Sequence, residues 1–489
     1  MRTKTTGVFA ILFSLMLQAN NIKVSNISLT NLNEPNNWVQ VEFDLSWENS
    51  WRINAGPSNW DAAWVFIKYR SNSGDWQHAT LNTANYVAAP GSTVDVTADG
   101  MGAFIYRDSE GSGFLNLENI RLRWDYGGLI DTNDVLDVQI FAIEMVYVPQ
   151  DAFYVGGTNG TENNKFYTGG LATTNIPYQI TSENSITVSN TPNNLYYNNT
   201  NGNGGDQMGP IPTNFPKGYD AFYCMKYEVS QSQWVSFFNT LTASQKTEND
   251  VTGNTGKNTD AEIIRNGISW PDGALNATTA FNDLPLNYVS NTKSLAYLDW
   301  AGLRPMTELE FEKACRGPIT PKANEFAWGS ANISITPYNI INQGEPNELI
   351  TNIEPGNGNC NYLDTNGTLI GPKRCGILAA SSINNTREES GGSYYGIMEL
   401  SGNVYERCIT VGIPQGRIFT AENGDGNISN TGLANVNTWP TTNEGWGFKG
   451  GSYTNQSEYL RVSDRNDASN DFSGSNARIG FRGVRSASN

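Results

Sequence analysis

Histidine and cysteine are scarce in this sequence, and acidic side chains outnumber basic ones. The 489 residues include one histidine, His78, and five cysteines. With 31 Lys and Arg against 48 Asp and Glu, the formal net charge is -17. A chain with this balance repels phosphate groups, which argues against nucleic acid as a partner. Acidic groups without basic clusters instead favour solubility or the binding of divalent cations through oxygen ligands.

Long apolar runs are also missing, except at the N-terminus. Arg2 and Lys4 precede an apolar run over residues 8–17, and the small residue Ala19 follows it, a pattern typical of a secretory signal peptide over residues 1–19. That run is too short to span a bilayer. Because no cysteine follows at the cleavage point and no second run approaches membrane length, we predict a secreted or cell-surface protein without lipid anchor or transmembrane helix.

The first domain, predicted over residues 20–142, has strand periodicity. From Val39 to Trp47 every second side chain is apolar, so one face of a strand is buried and the other is solvated. Residues 63–69 and 135–143 continue the pattern without helical periodicity, which predicts an antiparallel β-sandwich. Tryptophans that could stack on sugar rings crowd this part, so glycan binding by the sandwich is one alternative function. They are Trp38, Trp47, Trp51, Trp60, Trp64 and Trp76.

Beyond residue 142 strand patterns alternate with short helix patterns. Ser230 and Gln233 have the spacing of a capping box, which predicts the start of a helix. Residues 292–300 predict a second helix, and Thr307 with Glu310 caps a third. A strand-rich first domain followed by mixed elements predicts the α+β fold class.

Glycine-flanked motifs mark the C-terminal part. They are GNVYER at residues 402–407, GGSY at residues 450–453 and GFR at residues 480–482. In this order the motifs resemble the formylglycine-generating enzyme family, also called the sulfatase-modifying factor family. The resemblance implies an irregular, C-type-lectin-like fold over residues 143–489, following the β-sandwich.

The family's catalytic site is missing its thiols in this chain. Catalytic members hold copper with two cysteines after GGSY, and by position these fall at Asn455 and Leu460. Neither side chain supplies a thiolate, the soft ligand that copper(I) requires. Another branch of the family binds iron through histidines, but the lone His78 lies outside the shared domain. We therefore expect no catalytic residues, and neither copper nor iron as a cofactor.

Calcium is the cofactor that the resemblance implies. The family's GNVWEW block wraps a calcium ion, and the matching positions assign carboxylate ligands to Glu399 and Glu406 and carbonyl ligands to Gly402 and Val404. Family members hold a second calcium ion on the preceding loop. The oxygen-bearing residues of that loop are Asn361, Asp364 and Asn366.

The odd number of cysteines leaves at least one thiol without an intrachain partner. Cys360 and Cys375 close a short loop in one polar, Gly-rich segment, which favours a disulfide between them. The family cysteine matched by Cys315 has its usual partner after the GFR turn, where this chain has Gly483, so the resemblance implies no bridge there. Cys315 is predicted to be a buried, unreactive side chain, because no histidine lies in this domain to activate it.

These patterns favour a secreted, non-catalytic, calcium-binding protein that uses a formylglycine-generating-enzyme-like scaffold for binding or assembly at a cell surface. Its partner would be a protein or a glycan, and exposed strand edges would allow self-association. Two alternatives stay open, a repurposed oxidoreductase of the same family with a different metal site, and a glycan-binding protein that acts through the Trp-rich sandwich.

Overall fold

The computed structural model describes residues 21–131, 133–365, 367, 369–440 and 444–487. Strands outnumber helices and the helices are short, so the chain has the mixed content of an α+β fold. The signal peptide predicted over residues 1–19 lies outside the described residues. Among the described residues, no helix has both the length and the apolar character needed to cross a membrane.

Strands of very different lengths build the N-terminal part. They are β1 (Lys23–Asn33), β2 (Trp38–Arg52), β3 (Asp61–Ser71), β4 (Gln77–His78), β5 (Ser92–Val96), β6 (Ala103–Arg107), β7 (Gly111–Asp125) and β8 (Leu136–Val148). The alternating strand predicted from Val39 to Trp47 is confirmed within β2, because every second side chain in this range is apolar and buried. Strands β1, β2 and β7 form a three-stranded antiparallel sheet.

The C-terminal part has shorter elements joined by longer loops. Its strands are β9 (Phe153–Val155), β10 (Phe166–Thr168), β11 (Tyr178–Ile180), β12 (Leu195–Tyr197), β13 (Phe222–Met225), β14 (Ile268–Ser269), β15 (Thr278–Thr279), β16 (Arg304–Pro305), β17 (Ile340–Ile341), β18 (Leu349–Ile350), β19 (Tyr405–Ile409), β20 (Trp446–Lys449), β21 (Ile479–Gly480) and β22 (Gly483–Ser486). Its α-helices are α1 (Gln231–Asn239), α2 (Ala243–Asn249), α3 (Asn291–Trp300), α4 (Glu308–Arg316), α5 (Ile377–Ser381), α6 (Arg387–Ser390) and α7 (Pro414–Arg417).

Both predicted capping boxes are confirmed. The Ser230 side chain accepts from the Gln233 backbone at the start of α1, and the Gln233 side chain accepts from the Ser230 N–H. Thr307 and Glu310 make the same reciprocal bonds at the start of α4. Because each box satisfies two backbone donors with residues three positions apart, the local sequence is enough to predict these helix starts.

Strand β8 joins the two parts of the chain. Its residues 136–146 pair with β3, and its residues 145–148 pair with β13 on the other side. The result is an eight-stranded sheet in the order β16, β22, β13, β8, β3, β6, β5, with β4 paired to β3. The domain boundary predicted between residues 142 and 143 lies inside this strand, so one sheet runs through both predicted domains.

Two apolar clusters lie on opposite faces of this sheet. On one face, β3 side chains such as Val65 and Ile67 pack with Phe43 and Leu45 of the three-stranded sheet. On the other face, Trp64 and its neighbours pack with the helices of the C-terminal part. The two parts of the chain therefore share a core as well as a sheet.

The disulfide predicted between Cys360 and Cys375 is wrong, because both thiols are free. Cys360 is buried in an apolar cluster with Trp328 and Leu460, whereas Cys375 is buried beside Tyr227 and Met398. Spacing along the chain suggests a closed loop, but the segment folds so that the two thiols enter separate clusters. The remaining cysteines, Cys224, Cys315 and Cys408, are also buried and free, as predicted for Cys315.

We expect Trp64→Ala to lower the free energy of unfolding by about 3–5 kcal/mol and to do so in a single transition of the whole chain. Trp64 is fully buried and donates from Nε1 to the Ala301 carbonyl at 2.8 Å, so its loss leaves a cavity in the shared core. Differential scanning calorimetry measures both quantities. The control Trp76→Ala, at a half-buried site, should cost less than about 1 kcal/mol. Two separate transitions, with one unmoved by Trp64→Ala, would contradict the shared core.

We further expect all five cysteines to react with a thiol reagent after denaturation without reductant. Before denaturation they should react slowly, because each is buried. A colorimetric thiol titration of the purified protein measures both. A count lower by two after denaturation, restored by reductant, would show that a disulfide forms after all.

Candidate functional site

The GGSY turn follows β20 and has both glycines at positive φ, +80° at Gly450 and +67° at Gly451. A Cβ on Gly450 would lie 2.6 Å from the Leu400 carbonyl oxygen, so this close approach of two backbone segments requires glycine. Beyond the turn, Ser452 donates its N–H and its hydroxyl to Asn455 Oδ1, at 3.0 and 2.6 Å. The turn therefore holds the Asn455 side chain in one orientation.

A pocket of about 540 Å³ lies beside Asn455. Aromatic rings and carboxamides dominate its lining. The rings belong to Tyr405, Phe448, Tyr459 and Phe472, and the carboxamides to Asn455, Gln456, Asn466, Asn470 and Asn476. Thr454, Asp467, Arg478 and Ile479 complete it. A cavity of this size, with apolar surface and several convergent polar groups, is the ordinary form of a ligand site.

Asp467 is the acidic group of this pocket. The Tyr405 hydroxyl donates to its Oδ2 at 3.2 Å, and Asn470 Nδ2 donates to its Oδ1 at 3.1 Å. Burial, together with the charge of Asp467, raises the pKa of Tyr405, so the phenol stays a donor. The carboxylate is therefore held in place and retains lone pairs for another donor.

The two positions that correspond to the family's copper ligands have different surroundings. Asn455 lines the pocket, whereas Leu460 is fully buried with Phe326, Trp328 and Cys360. The Leu460 side chain packs beneath the GGSY turn, where a Cβ on Gly451 would lie 2.6 Å from it. One position is polar and the other apolar, so the pair cannot provide the ligands of a soft metal.

The turn predicted for the first calcium ion contains carboxylate oxygens that lack partners. Glu399 Oε1 accepts from the Gly376 N–H at 2.9 Å, and Glu406 Oε1 accepts from Arg482 Nε at 2.6 Å. The second oxygens, Oε2 of Glu399 and Oε2 of Glu406, are buried and have no hydrogen-bond partner among the described residues. Between them in sequence, Gly402 has φ of +90°, and Val404 is fully buried.

Three buried carboxylates, those of Glu228, Glu399 and Glu406, share Arg482 as a cationic neighbour, and Arg374 and Lys226 also act on Glu399. Glu228 interacts electrostatically with Glu399, Glu406 and Arg482. Burial raises the pKa of Glu399 to about 7, and burial also raises the pKa of Glu228 and of Glu406 while Arg482 opposes the rise. Carboxylates in this condition either keep a proton or take a cation. Either a proton or a hard cation would satisfy the two buried, unpaired oxygens, Oε2 of Glu399 and Oε2 of Glu406.

The second predicted calcium site has a different arrangement. Asn361 Oδ1 accepts from Lys373 Nζ at 2.6 Å, and Asn361 Nδ2 donates to Gly371 O and Asn403 Oδ1. Burial, together with the nearby charge of Arg265, lowers the pKa of Lys373 to about 7. A side-chain ammonium thus bonds the oxygen assigned to calcium, which does not fit that assignment. Asn366 and the side chain of Asp364 lie outside the described part of the chain.

Within the described ranges, no group of three or more His, Cys, Asp or Glu side chains is arranged to hold a metal ion. Sequence reasoning also missed three charged residues near these turns, Glu228, Lys373 and Arg482. Glu228 lies three residues after β13, next to Tyr227 and Val229, and Arg482 lies in the GFR motif. The sequence signal for such residues is a charged side chain beside apolar ones, because a charge that is buried with its apolar neighbours needs a partner.

Comparison with known proteins agrees with the motifs. Residues 200–487, more than half of the chain, match the Sulfatase-modifying factor enzyme 1-like domain. A formylglycine-generating enzyme of Streptomyces coelicolor is 27% identical over 223 residues, which cover 44% of this chain and 58% of that protein. The formylglycine-generating enzyme of Bos taurus is 29% identical over 153 residues, covering 26% and 40%. Less than two thirds of each of these relatives is therefore matched.

Two further similarities are shorter or weaker. A hercynine oxygenase of Mycolicibacterium smegmatis is 41% identical over 59 residues, which cover 12% of this chain and 14% of that protein. The structure of Treponema denticola variable protein 1 aligns with 71% of this chain and 96% of its own at 13% identity and a TM-score of 0.34, too low to support an argument. The domain match alone extends over more than half of the chain, and this protein therefore belongs to the sulfatase-modifying factor (FGE-sulfatase) family.

Proposed function

We propose that this protein is an exported, non-catalytic member of its family that binds calcium at the turn from Glu399 to Glu406 and uses its scaffold for binding or assembly outside the cell. The observation that carries the proposal is the environment of Asn455 and Leu460, the two positions that match the family's copper ligands. Asn455 lines a polar and aromatic pocket, and Leu460 belongs to an apolar cluster. This pair supports ligand binding in place of copper-dependent oxidation.

The thiols of the chain support the same conclusion. Burial raises the pKa of Cys224 to about 12, and burial raises the pKa of the other four thiols at least as clearly. Because the thiolate is the form that binds copper and attacks substrates, these cysteines are poor replacements for the missing ligands.

The curated relatives are named as enzymes, and a repurposed oxidoreductase is the alternative that their names suggest. It requires a redox-metal site, and the two positions that match the family's copper ligands, Asn455 and Leu460, supply no soft ligand for one. The other alternative, glycan binding by the Trp-rich sandwich, is weakened because Trp47 and Trp64 are fully buried. Two sheets that share one core support the sandwich description itself, and family membership supports a lectin-like C-terminal part.

In calcium-free solution, we expect stability to fall as pH rises from about 4.5 to about 7, and Glu399→Gln to reduce that fall. Glu399 has a pKa of about 7 in the folded protein and of about 4.5 in the unfolded chain. The folded state therefore binds the proton more tightly, and the stability that this proton contributes is lost as pH rises from about 4.5 to about 7. The difference between the two proteins should be about 2–3 kcal/mol by denaturant titration. Calcium should stabilise the parent protein above this window, where the carboxylate is charged.

Glu118→Gln is the control for this experiment, since Glu118 is exposed. It should leave both the pH dependence and the calcium response unchanged. If Glu399→Gln behaves like the parent protein in pH dependence and in calcium response, the assignment of a buried cation site to this turn is wrong.

For the function as a whole, we expect no oxidation of a cysteine-containing peptide when the purified protein is supplied with copper(I) and oxygen. Product is measured by mass spectrometry against a formylglycine-generating enzyme as positive control. The double variant Asn455→Cys with Leu460→Cys restores a thiol pair and should bind copper(I) more tightly than the parent in a chelator competition. Copper-dependent turnover by the parent protein would falsify the non-catalytic role.

A further inference from the structure

We propose that the pocket beside Asn455 binds a neutral oligosaccharide. This inference rests on the binding role proposed above and names the ligand class of the same site. It follows from the aromatic surfaces, the orientation of the carboxamides and the charge balance of the pocket lining.

The aromatic rings occupy two levels of the pocket. Tyr405 and Phe448 are almost fully buried, with ring centroids 5.6 Å apart, and form its floor. Tyr459 is half-buried and Phe472 is 41% exposed, so both present ring surface near the opening. A pyranose ring carries C–H groups on one face and hydroxyls at its edge. Exposed aromatic faces complement the C–H face of the sugar, and the polar lining complements its hydroxyls.

The carboxamides are oriented by bonds to backbone donors. Asn455 Oδ1 accepts from the Ser452 N–H, and Asn476 Oδ1 accepts from the Arg478 N–H at 2.9 Å. A backbone N–H can bond only the oxygen of the carboxamide, so the orientation of both groups is determined. No hydrogen bond from Nδ2 of either residue is found within the described ranges, and each Nδ2 can donate to a ligand hydroxyl.

The acceptor for a ligand hydroxyl is Asp467. Its two donors, Tyr405 and Asn470, use one lone pair on each oxygen and fix the carboxylate in position. Hydroxyl groups both donate and accept, so they can pair with Asp467 and with the carboxamides in the same site. A hydroxyl-rich ligand would therefore satisfy groups that a hydrocarbon would leave unpaired.

Formal charge in the lining is balanced, with Asp467 as its acid and Arg478 as its base. The chain as a whole carries a formal charge of -17, which disfavours polyanionic ligands. Sulfated and sialylated glycans are thereby less suited than neutral ones. A peptide would also use carboxamide donors, but Ile479 is the one aliphatic side chain among the described lining residues, so the pocket offers little aliphatic surface to an apolar peptide side chain.

The test is binding of the full exported protein to an array of neutral oligosaccharides, with sialylated and sulfated counterparts and a random-peptide array beside it. The strongest neutral oligosaccharide is then titrated by calorimetry. We expect Phe472→Ala and Tyr459→Ala each to weaken its affinity about tenfold. Phe114→Ala is the matched control, because Phe114 is 64% exposed on β7, far along the chain from the pocket, and it should leave affinity unchanged.

Thermal unfolding of each variant verifies that the fold is intact, which the exposure of Phe472 favours. Absence of binding to every neutral oligosaccharide would overturn the inference, as would binding that Phe472→Ala and Tyr459→Ala leave intact. Binding confined to peptides would also overturn it while leaving the non-catalytic binding role standing. Loss of that role has a separate signature, copper-dependent oxidation of a thiol peptide.

Discussion

The buried guanidinium of Arg482 is the contact on which the C-terminal architecture depends. Its Nε donates to Glu406 on β19, and its Nη1 donates to the carbonyls of Met225 and Lys226 at the end of β13. These segments are distant in sequence and meet in a region without solvent. A buried charge is costly unless it is paired and hydrogen-bonded, so burying Arg482 favours a fold that brings these three segments together.

The same logic connects this region to the N-terminal part. Lys226 Nζ pairs with Glu144 of β8 at 2.5 Å and also interacts with Asp61 of β3. Asp61 in turn accepts from Trp47 Nε1 at 2.9 Å on β2. A series of buried polar contacts therefore runs beside the continuous sheet from the GFR motif to the first strands. It explains why the helix-bearing part of the chain and the strand-rich part share a core.

The two turns at which calcium is predicted differ in the surroundings of their oxygens. Around Glu399 and Glu406, two buried carboxylate oxygens lack hydrogen-bond partners among the described residues. At Asn361, by contrast, the ammonium of Lys373 already bonds the side-chain oxygen. The first turn therefore has two oxygens that a hydrogen-bond donor or a cation would satisfy, whereas the Asn361 oxygen at the second is already bonded to another residue of the chain. The pocket beside Asn455 differs from both turns, because its lining has one acid, Asp467, balanced by one base, Arg478.

The sequence by itself determined the local elements and the missing chemistry. The strand from Val39 to Trp47 and the capping boxes at Ser230 and Thr307 depend on residues within a few positions, so pattern alone specifies them. The absence of thiols at residues 455 and 460 can also be seen directly in the sequence. Tertiary structure decided what distant residues do to one another. It placed β8 in one sheet with strands from both predicted domains, and it sent Cys360 and Cys375 into separate clusters. It also brought Lys373 to Asn361 and Arg482 to Glu406, because contacts between remote segments follow from how the whole core packs, and spacing along the chain does not encode that packing.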